Sequence, residues 1–274
     1  MNASISGVIL CGGLSSRMGR PKAHLPWRGQ PLIAWMVSSL SRFLDDIVVV
    51  SSAGLELPEL AARVVVDRTA NLGPLGGIRE ALHAVRYEAA FITRIDAPNV
   101  DGSVIDALSA ASPTGAFEVN GWIEPFPALY ARQLGSLADT LLSQGRRRPL
   151  HLLEAGGFQR LDGAPWAATG IFDNFNTPAE YLRAVRTVEE QPTVTVLFSG
   201  SAETAAGTSR MTTGIGTLRE VLRALEPQLR LVEGAEIASH FELILGTQPV
   251  TNLELPLGPG EQLLVRDAPK MQAI

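Results

Sequence analysis

Residues 9–22 read Ile-Leu-Cys-Gly-Gly-Leu-Ser-Ser-Arg-Met-Gly-Arg-Pro-Lys. A short apolar run, Val8-Ile9-Leu10, breaks at Gly12-Gly13, and two cations follow at Arg17 and Lys22. Paired glycines lack the Cβ atoms that keep a backbone away from a ligand, so successive N–H groups can face phosphate oxygens. Arg17 offers a planar fork for a phosphate and Lys22 a mobile point charge. Pro21 restricts the backbone just before Lys22. Strand, glycine turn and two cations in so few residues read as a cradle for a triphosphate. It is not the G-x-x-x-x-G-K-[ST] loop, because Ala23 follows the lysine, and G-x-G-x-x-G is absent.

The elements that must hold this loop follow in order. Leu32, Met36, Leu40 and Phe43 recur at helical spacing. Ile47-Val48-Val49-Val50 is a continuous β-branched run, as in a strand covered on both faces, and Arg63-Val64-Val65-Val66-Asp67 repeats it. A second helical face carries Leu75, Ile78, Leu82 and Val85, and Ala90–Ile95 is a further strand that ends in Asp96-Ala97-Pro98. Alternating strands and helices predict a doubly wound, mostly parallel α/β domain. Ligands of such sheets bind beyond the carboxyl ends of the strands, where Asp67 and Asp96 stand. Mg²⁺ takes one or two carboxylates and completes its shell with water and substrate phosphates, so one such Asp is sufficient. An Asp before a Pro-containing turn is also an ordinary turn starter.

The spacing Gly12-Gly13-x-Ser15-x-Arg17-Met18-Gly19-x-x-Lys22 resembles the loop of the molybdenum cofactor guanylyltransferases, the molybdopterin-guanine dinucleotide synthesis protein A family. Gly73-Pro74-Leu75-x-Gly77, Asp96-x-Pro98 and Asn174-x-Asn176-Thr177-Pro178 are further matches in the same order. Cys11 stands where the family usually has Ala, and Leu14 where a Lys or Arg is common. Ser51-Ser52-Ala53-Gly54 lacks the Asn that the family often places near the nucleotide, so Ser51 or Ser52 would have to supply a hydroxyl there. The resemblance implies a nucleotide-diphospho-sugar-transferase-like fold and transfer of GMP from GTP to molybdopterin, with release of pyrophosphate. It implies catalytic roles for Arg17, Lys22 and Asp96, with Mg²⁺ on Asp96. It implies nucleotide contacts at Leu10, Cys11, Gly12, Gly13, Lys22, Asp67, Gly73 and Asp96. Arg147, within Arg146–Arg148, and the amides of Asn174 and Asn176 are the acceptor-binding candidates. Guanine is favoured over cytosine because cytidylyl relatives typically have Ala-Ala-Gly where this chain has Cys11-Gly12-Gly13. A cytidylyl or other nucleotidyltransferase of the same fold is the alternative within the class, and a non-catalytic scaffold the alternative outside it.

Glu189-Glu190-Gln191-Pro192 reads as a linker, which divides the chain into a nucleotidyltransferase domain (1–188) and a smaller α+β domain (193–274). Val194, Val196 and Phe198 alternate as in a strand, and Thr217-x-x-Glu220 is a capping box that opens a helix with Leu218, Val221, Leu222 and Leu225 on one face. Strands at Phe241–Leu245 and Gln262–Val265 flank the turn-rich Pro256-Leu257-Gly258-Pro259-Gly260. This order resembles the β-grasp, ubiquitin-like sulfur carrier of molybdopterin synthase. The sequence given ends Lys270-Met271-Gln272-Ala273-Ile274, without the Gly-Gly a carrier uses. The expectation is therefore docking, dimerisation or recruitment of other molybdenum cofactor biosynthesis proteins, and not sulfur transfer.

The 274 residues, 46% hydrophobic and 19% charged, are ample for a buried core. A net charge of −5 with one basic run, Arg146–Arg148, argues against a nucleic-acid partner. One cysteine, Cys11, excludes an internal disulfide and a cysteine-based zinc site. No run approaches the ~20 apolar residues of a membrane span, and the amino terminus lacks a basic n-region. The expectation is a cytoplasmic chain with no membrane partner.

Overall fold

The computed structural model describes residues 5–12, 16–67, 72–110, 113–225, 231–233 and 236–269. They form two compact units. The first takes in residues up to Leu14, Lys22–His24 and Leu32–Asn174; the second takes in Ser15–Pro21, Leu25–Pro31 and Phe175–Ile274.

Seven strands build the first unit: β1 (Ile5–Cys11), β2 (Ile47–Ser52), β3 (Arg63–Asp67), β4 (Ala89–Arg94), β5 (Gly115–Val119), β6 (Trp122–Ala131) and β7 (Gln159–Asp162). They pair in the order β3-β2-β1-β4-β6-β5-β7. β3, β2, β1 and β4 run parallel, and β6 is antiparallel to both β4 and β5. β1 and β4 are the central pair, and every residue of β1 is buried. Helices α1 (Leu32–Leu40), α2 (Pro74–Ala84), α3 (Gly102–Ser109), α4 (Leu134–Ser143) and α5 (Pro149–Gly156) complete the unit. This is the doubly wound, mostly parallel α/β architecture expected. β3 departs from it in one respect. As an edge strand it leaves Val64 and Val66 at 48% and 42% exposure, so its β-branched run is not covered on both faces. On β6, Pro125 and Pro127 lie in a stretch where the register with β5 slips between Ala116 and Phe117. A residue without an N–H is accommodated at such an irregularity.

Asp46 fastens the amino-terminal ends of the strands. Its buried carboxylate accepts hydrogen bonds from Ser6 Oγ (2.6 Å), the Arg86 N–H (3.0 Å) and Arg63 Nη2 (2.7 Å). Burial alone raises this acid; the Ser6, Arg86 and Arg63 contacts outweigh it and hold the carboxyl below its usual range. A depressed folded value means that the contribution is present above the unfolded value near ~4 and is lost as pH falls through the folded one. Asp46→Asn is expected to lower unfolding stability by roughly 2–4 kcal/mol at pH 7. Denaturant melts at pH 7 and pH 3 check this: the gap between wild type and variant should narrow at the lower pH.

The second unit is built on β8 (Thr193–Phe198), β9 (Arg210–Gly214), β10 (Phe241–Leu245), β11 (Gln248–Pro249) and β12 (Gln262–Asp267). Their order is β9-β8-β12-β10-β11, with β8 and β12 parallel and the other pairs antiparallel. Val194, Val196 and Phe198 of β8 and Leu263 and Val265 of β12 point inward, as their alternation requires. α6 (Pro178–Val188) opens with a capping box of Thr177 and Glu180. α7 (Ser201–Ala206) is short. α8 (Leu218–Leu225) buries Leu218, Val221, Leu222 and Leu225, and its own capping box forms: Glu220 N–H donates to Thr217 Oγ1 and Thr217 N–H to Glu220 Oε2.

Candidate active site

β1 and β4 deliver the two halves of the site in the first unit. β1 ends at Cys11, and the turn after β4 presents Asp96. The Ile95 N–H donates to the Leu10 carbonyl at 3.0 Å and carries the β1–β4 pairing to the last residue before Asp96. Lys22 opens a short 3₁₀ turn, Lys22–His24, and its Nζ donates to Asp96 Oδ2 at 3.0 Å. Both side chains are 11% exposed. A pair this enclosed gains more from its mutual attraction than a surface pair, and removing one partner leaves a costly charge behind.

The other Asp96 oxygen is less satisfied. Oδ1 is buried and accepts no hydrogen bond; Arg94 Nε stands 3.5 Å away from it. Arg94 is a residue sequence reasoning missed. Its guanidinium lies over the Phe126 ring at 5.4 Å, a cation–π contact. The signal was available: an arginine that ends an otherwise apolar strand needs an anion, and Asp96 stands two residues on. Glu124 on β6 was missed too. Burial pushes its carboxyl up, and the Arg94 charge pulls it down. A buried carboxylate oxygen with no hydrogen bond suits one position on a hard divalent cation whose other ligands are waters and phosphate oxygens. Among the described residues no group of three or more His, Cys, Asp or Glu forms an all-protein cage.

The remaining candidates fall as follows. Leu10 and Cys11 are buried at the end of β1, and burial pushes the Cys11 thiol up to about 12, so each can offer a ligand only its backbone. Gly12 is exposed, and a Cβ there would meet only the Ser52 nitrogen at 3.9 Å, which leaves open space at the start of the loop. Gly13 lies outside the described residues. Arg17 is exposed on the 3₁₀ turn Ser16–Met18, which belongs to the second unit. Asp67 ends β3 opposite Ser52, and its Oδ2 would lie 3.3 Å from a Cβ on Gly76 of α2. Gly73 precedes α2 with φ 68° and ψ −169°, a conformation essentially restricted to glycine. A Cβ there would lie in ordinary contact with the Arg147 carbonyl, at 3.5 Å. Arg147 is thus brought beside the α2 amino terminus, next to a nucleotide-loop candidate. Asn174 closes the first unit, while Asn176 is in the second, where its N–H donates to Glu180 Oε2.

A family model described as a MobA-like NTP transferase domain matches residues 7–159. A probable molybdenum cofactor guanylyltransferase from Mycobacterium avium (strain 104) is 35% identical over 192 residues, which cover 66% of this chain and 94% of that protein. The molybdenum cofactor guanylyltransferase of Ectopseudomonas mendocina (strain ymp) is 33% identical, covering 63% and 88%. Among solved structures, molybdopterin-guanine dinucleotide biosynthesis protein A from Archaeoglobus fulgidus superposes with a TM-score of 0.55 at 23% identity, over 67% of this chain and 98% of that one. The 2-C-methyl-D-erythritol 4-phosphate cytidylyltransferase of Thermus thermophilus does so with 0.52 at 20% identity, again over 67% and 98%. At these identities the structural likeness shows the fold.

Proposed function

Since this chain belongs to the MobA-like NTP transferase family and is a nucleotidyltransferase, we propose that it transfers GMP from GTP to molybdopterin or its molybdenum form, giving the guanine dinucleotide cofactor and pyrophosphate. The observation that carries this reading is the enclosed Lys22–Asp96 pair at the carboxyl end of the central strands, directly after the glycine loop. The guanylyltransferase names of relatives at 33–35% identity support the choice of substrates.

In this reading the acceptor's terminal phosphate attacks the α-phosphorus of GTP in line, and the bond to the β-phosphate oxygen breaks. A phosphate is already anionic at neutral pH, so the chain's task is positioning and charge stabilisation. Lys22, Arg17 and the amides at Gly12 and Gly13 stabilise charge on the departing pyrophosphate. Arg94 and Lys22 orient Asp96 from either side. Asp96 would hold the divalent ion, Mg²⁺ by the oxygen chemistry of the site, which supplies Lewis-acid polarisation of the phosphate when bound. Asp67 and Gly73 would flank the nucleoside, and Arg147, Asn174 and Asn176 would contact the acceptor. The strand order and pairing of the second unit fit a β-grasp fold, which we assign to it.

The test is the product. With molybdopterin, Mg²⁺ and an equal mixture of GTP, CTP and ATP, the mass of the product should be that of the guanine dinucleotide. A cytosine dinucleotide would keep the mechanism and overturn the base; no dinucleotide with any of the three would overturn the proposal.

A further inference from the structure

Residues 16–21, Arg17 among them, belong to the β-rich second unit. Met18, Gly19 and Arg20 are each seated there. Met18 is 1% exposed. Gly19 turns at φ 71°, and a Cβ on it would stand 2.5 Å from Asn252 Nδ2, so the turn lies flush on the 252–255 segment. Arg20 makes a two-pronged bond to Glu261, Nη1 to Oε1 at 2.6 Å and Nη2 to Oε2 at 2.9 Å, with both side chains 15% exposed. This parallel pairing fixes the direction of the guanidinium as well as its distance.

Glu261 is itself held. The Gly258 N–H donates to its Oε2 at 2.7 Å, and its own carbonyl accepts from the Thr195 N–H at 2.9 Å, which ties it to β8. Carboxylate, turn and sheet form a fixed mount, and a group locked by such supports positions its partner better than a free loop side chain does. Arg17 and Lys22 flank the three mounted residues. Asn252 and Glu261 both lie outside the residues the family model matches.

We propose that Glu261 is a positioning residue for nucleotide binding: through Arg20 it holds residues 18–20 in the conformation that presents Arg17 to the triphosphate. The inference rests on reading residues 9–22 as the triphosphate loop. A loop shaped before the ligand arrives loses less freedom on binding, so loss of the mount acts on nucleotide affinity more than on turnover.

The experiment is steady-state kinetics of the full chain with GTP varied at saturating acceptor, and then the reverse. Glu261→Gln keeps the shape and removes the charge; Arg20→Gln breaks the same pair from the loop side and serves if the first variant fails to fold. Each should raise the KM for GTP about tenfold and change kcat and the acceptor KM little, while loss of one partner of this enclosed pair lowers the melting temperature. The double variant Arg20→Glu/Glu261→Arg should recover part of the GTP affinity. Glu242→Gln breaks another ion pair of the same unit, Glu242–Arg266, and should leave the GTP KM unchanged. A GTP KM within about twofold of wild type in the folded Glu261→Gln or Arg20→Gln chain overturns the inference, as does an equal rise in Glu242→Gln. If wild type itself shows no saturable dependence on GTP, it is the loop reading that fails.

Discussion

Asp96→Ala is expected to lower nucleotidyl transfer by about a thousandfold or more, the largest effect of any single substitution in the first unit. The argument is one of charge. Phosphoryl-type transfer asks the protein to hold a concentrated negative charge still, and Asp96 organises the positive charge that does so. It takes a bond from Lys22 at 3.0 Å on one oxygen and has Arg94 at 3.5 Å from the other. The alanine variant removes the carboxylate those two cations share, so part of any loss could come from local rearrangement. Asp96→Asn separates the two causes, because it keeps the shape and a hydrogen-bond acceptor. A folded Asp96→Asn chain should be nearly as inactive as Asp96→Ala, and one retaining more than about a tenth of wild-type rate would remove the carboxylate from the reaction.

Lys22→Ala is expected to cost about two decades in rate or more, as loss of a preorganised charge-stabilising donor does. It also leaves Asp96 enclosed without its 3.0 Å partner, so a lower melting temperature should accompany the slower rate. Lys22→Arg is the informative companion. A guanidinium retains the charge but is a planar fork where the loop provides for a compact ammonium, and it should recover only a small part of the rate. Combining Lys22→Ala with Asp96→Ala should cost little more than Asp96→Ala alone, since residues that act as one unit are not additive. Full additivity would mean that the two work on different steps.

The central sheet was legible because its residues announce their own environment. Ile47–Val50 is apolar at every position and emerges as the buried β2, and the faces read for α2 and α8 are the faces that pack. β3 shares the Val-Val-Val run of β2, yet its exposed Val64 and Val66 follow from its place at the sheet edge, which a local pattern does not encode. α3 was not read. It is capped by Asp101, whose carboxylate accepts from the Ser103 and Val104 N–H groups, and its eight residues give periodicity little length to appear in. In the site, the glycine loop and the two strand-end aspartates could be named from spacing alone, but not that Lys22 would meet Asp96 or that Arg94 would stand beside it. Arg20 and Glu261, separated by 241 positions, are out of reach of any local rule.

The measurement that tests the central claim most directly follows two radiolabels in GTP, one at the α- and one at the γ-phosphorus, through a reaction with molybdopterin and Mg²⁺. Nucleotidyl transfer predicts that the α label appears in the acceptor while the γ label leaves as pyrophosphate, in equal amounts and only when acceptor is present. Recovery of the γ label as orthophosphate, or retention of both labels in tightly bound, unreacted GTP, would contradict it; the second result would favour a binding scaffold.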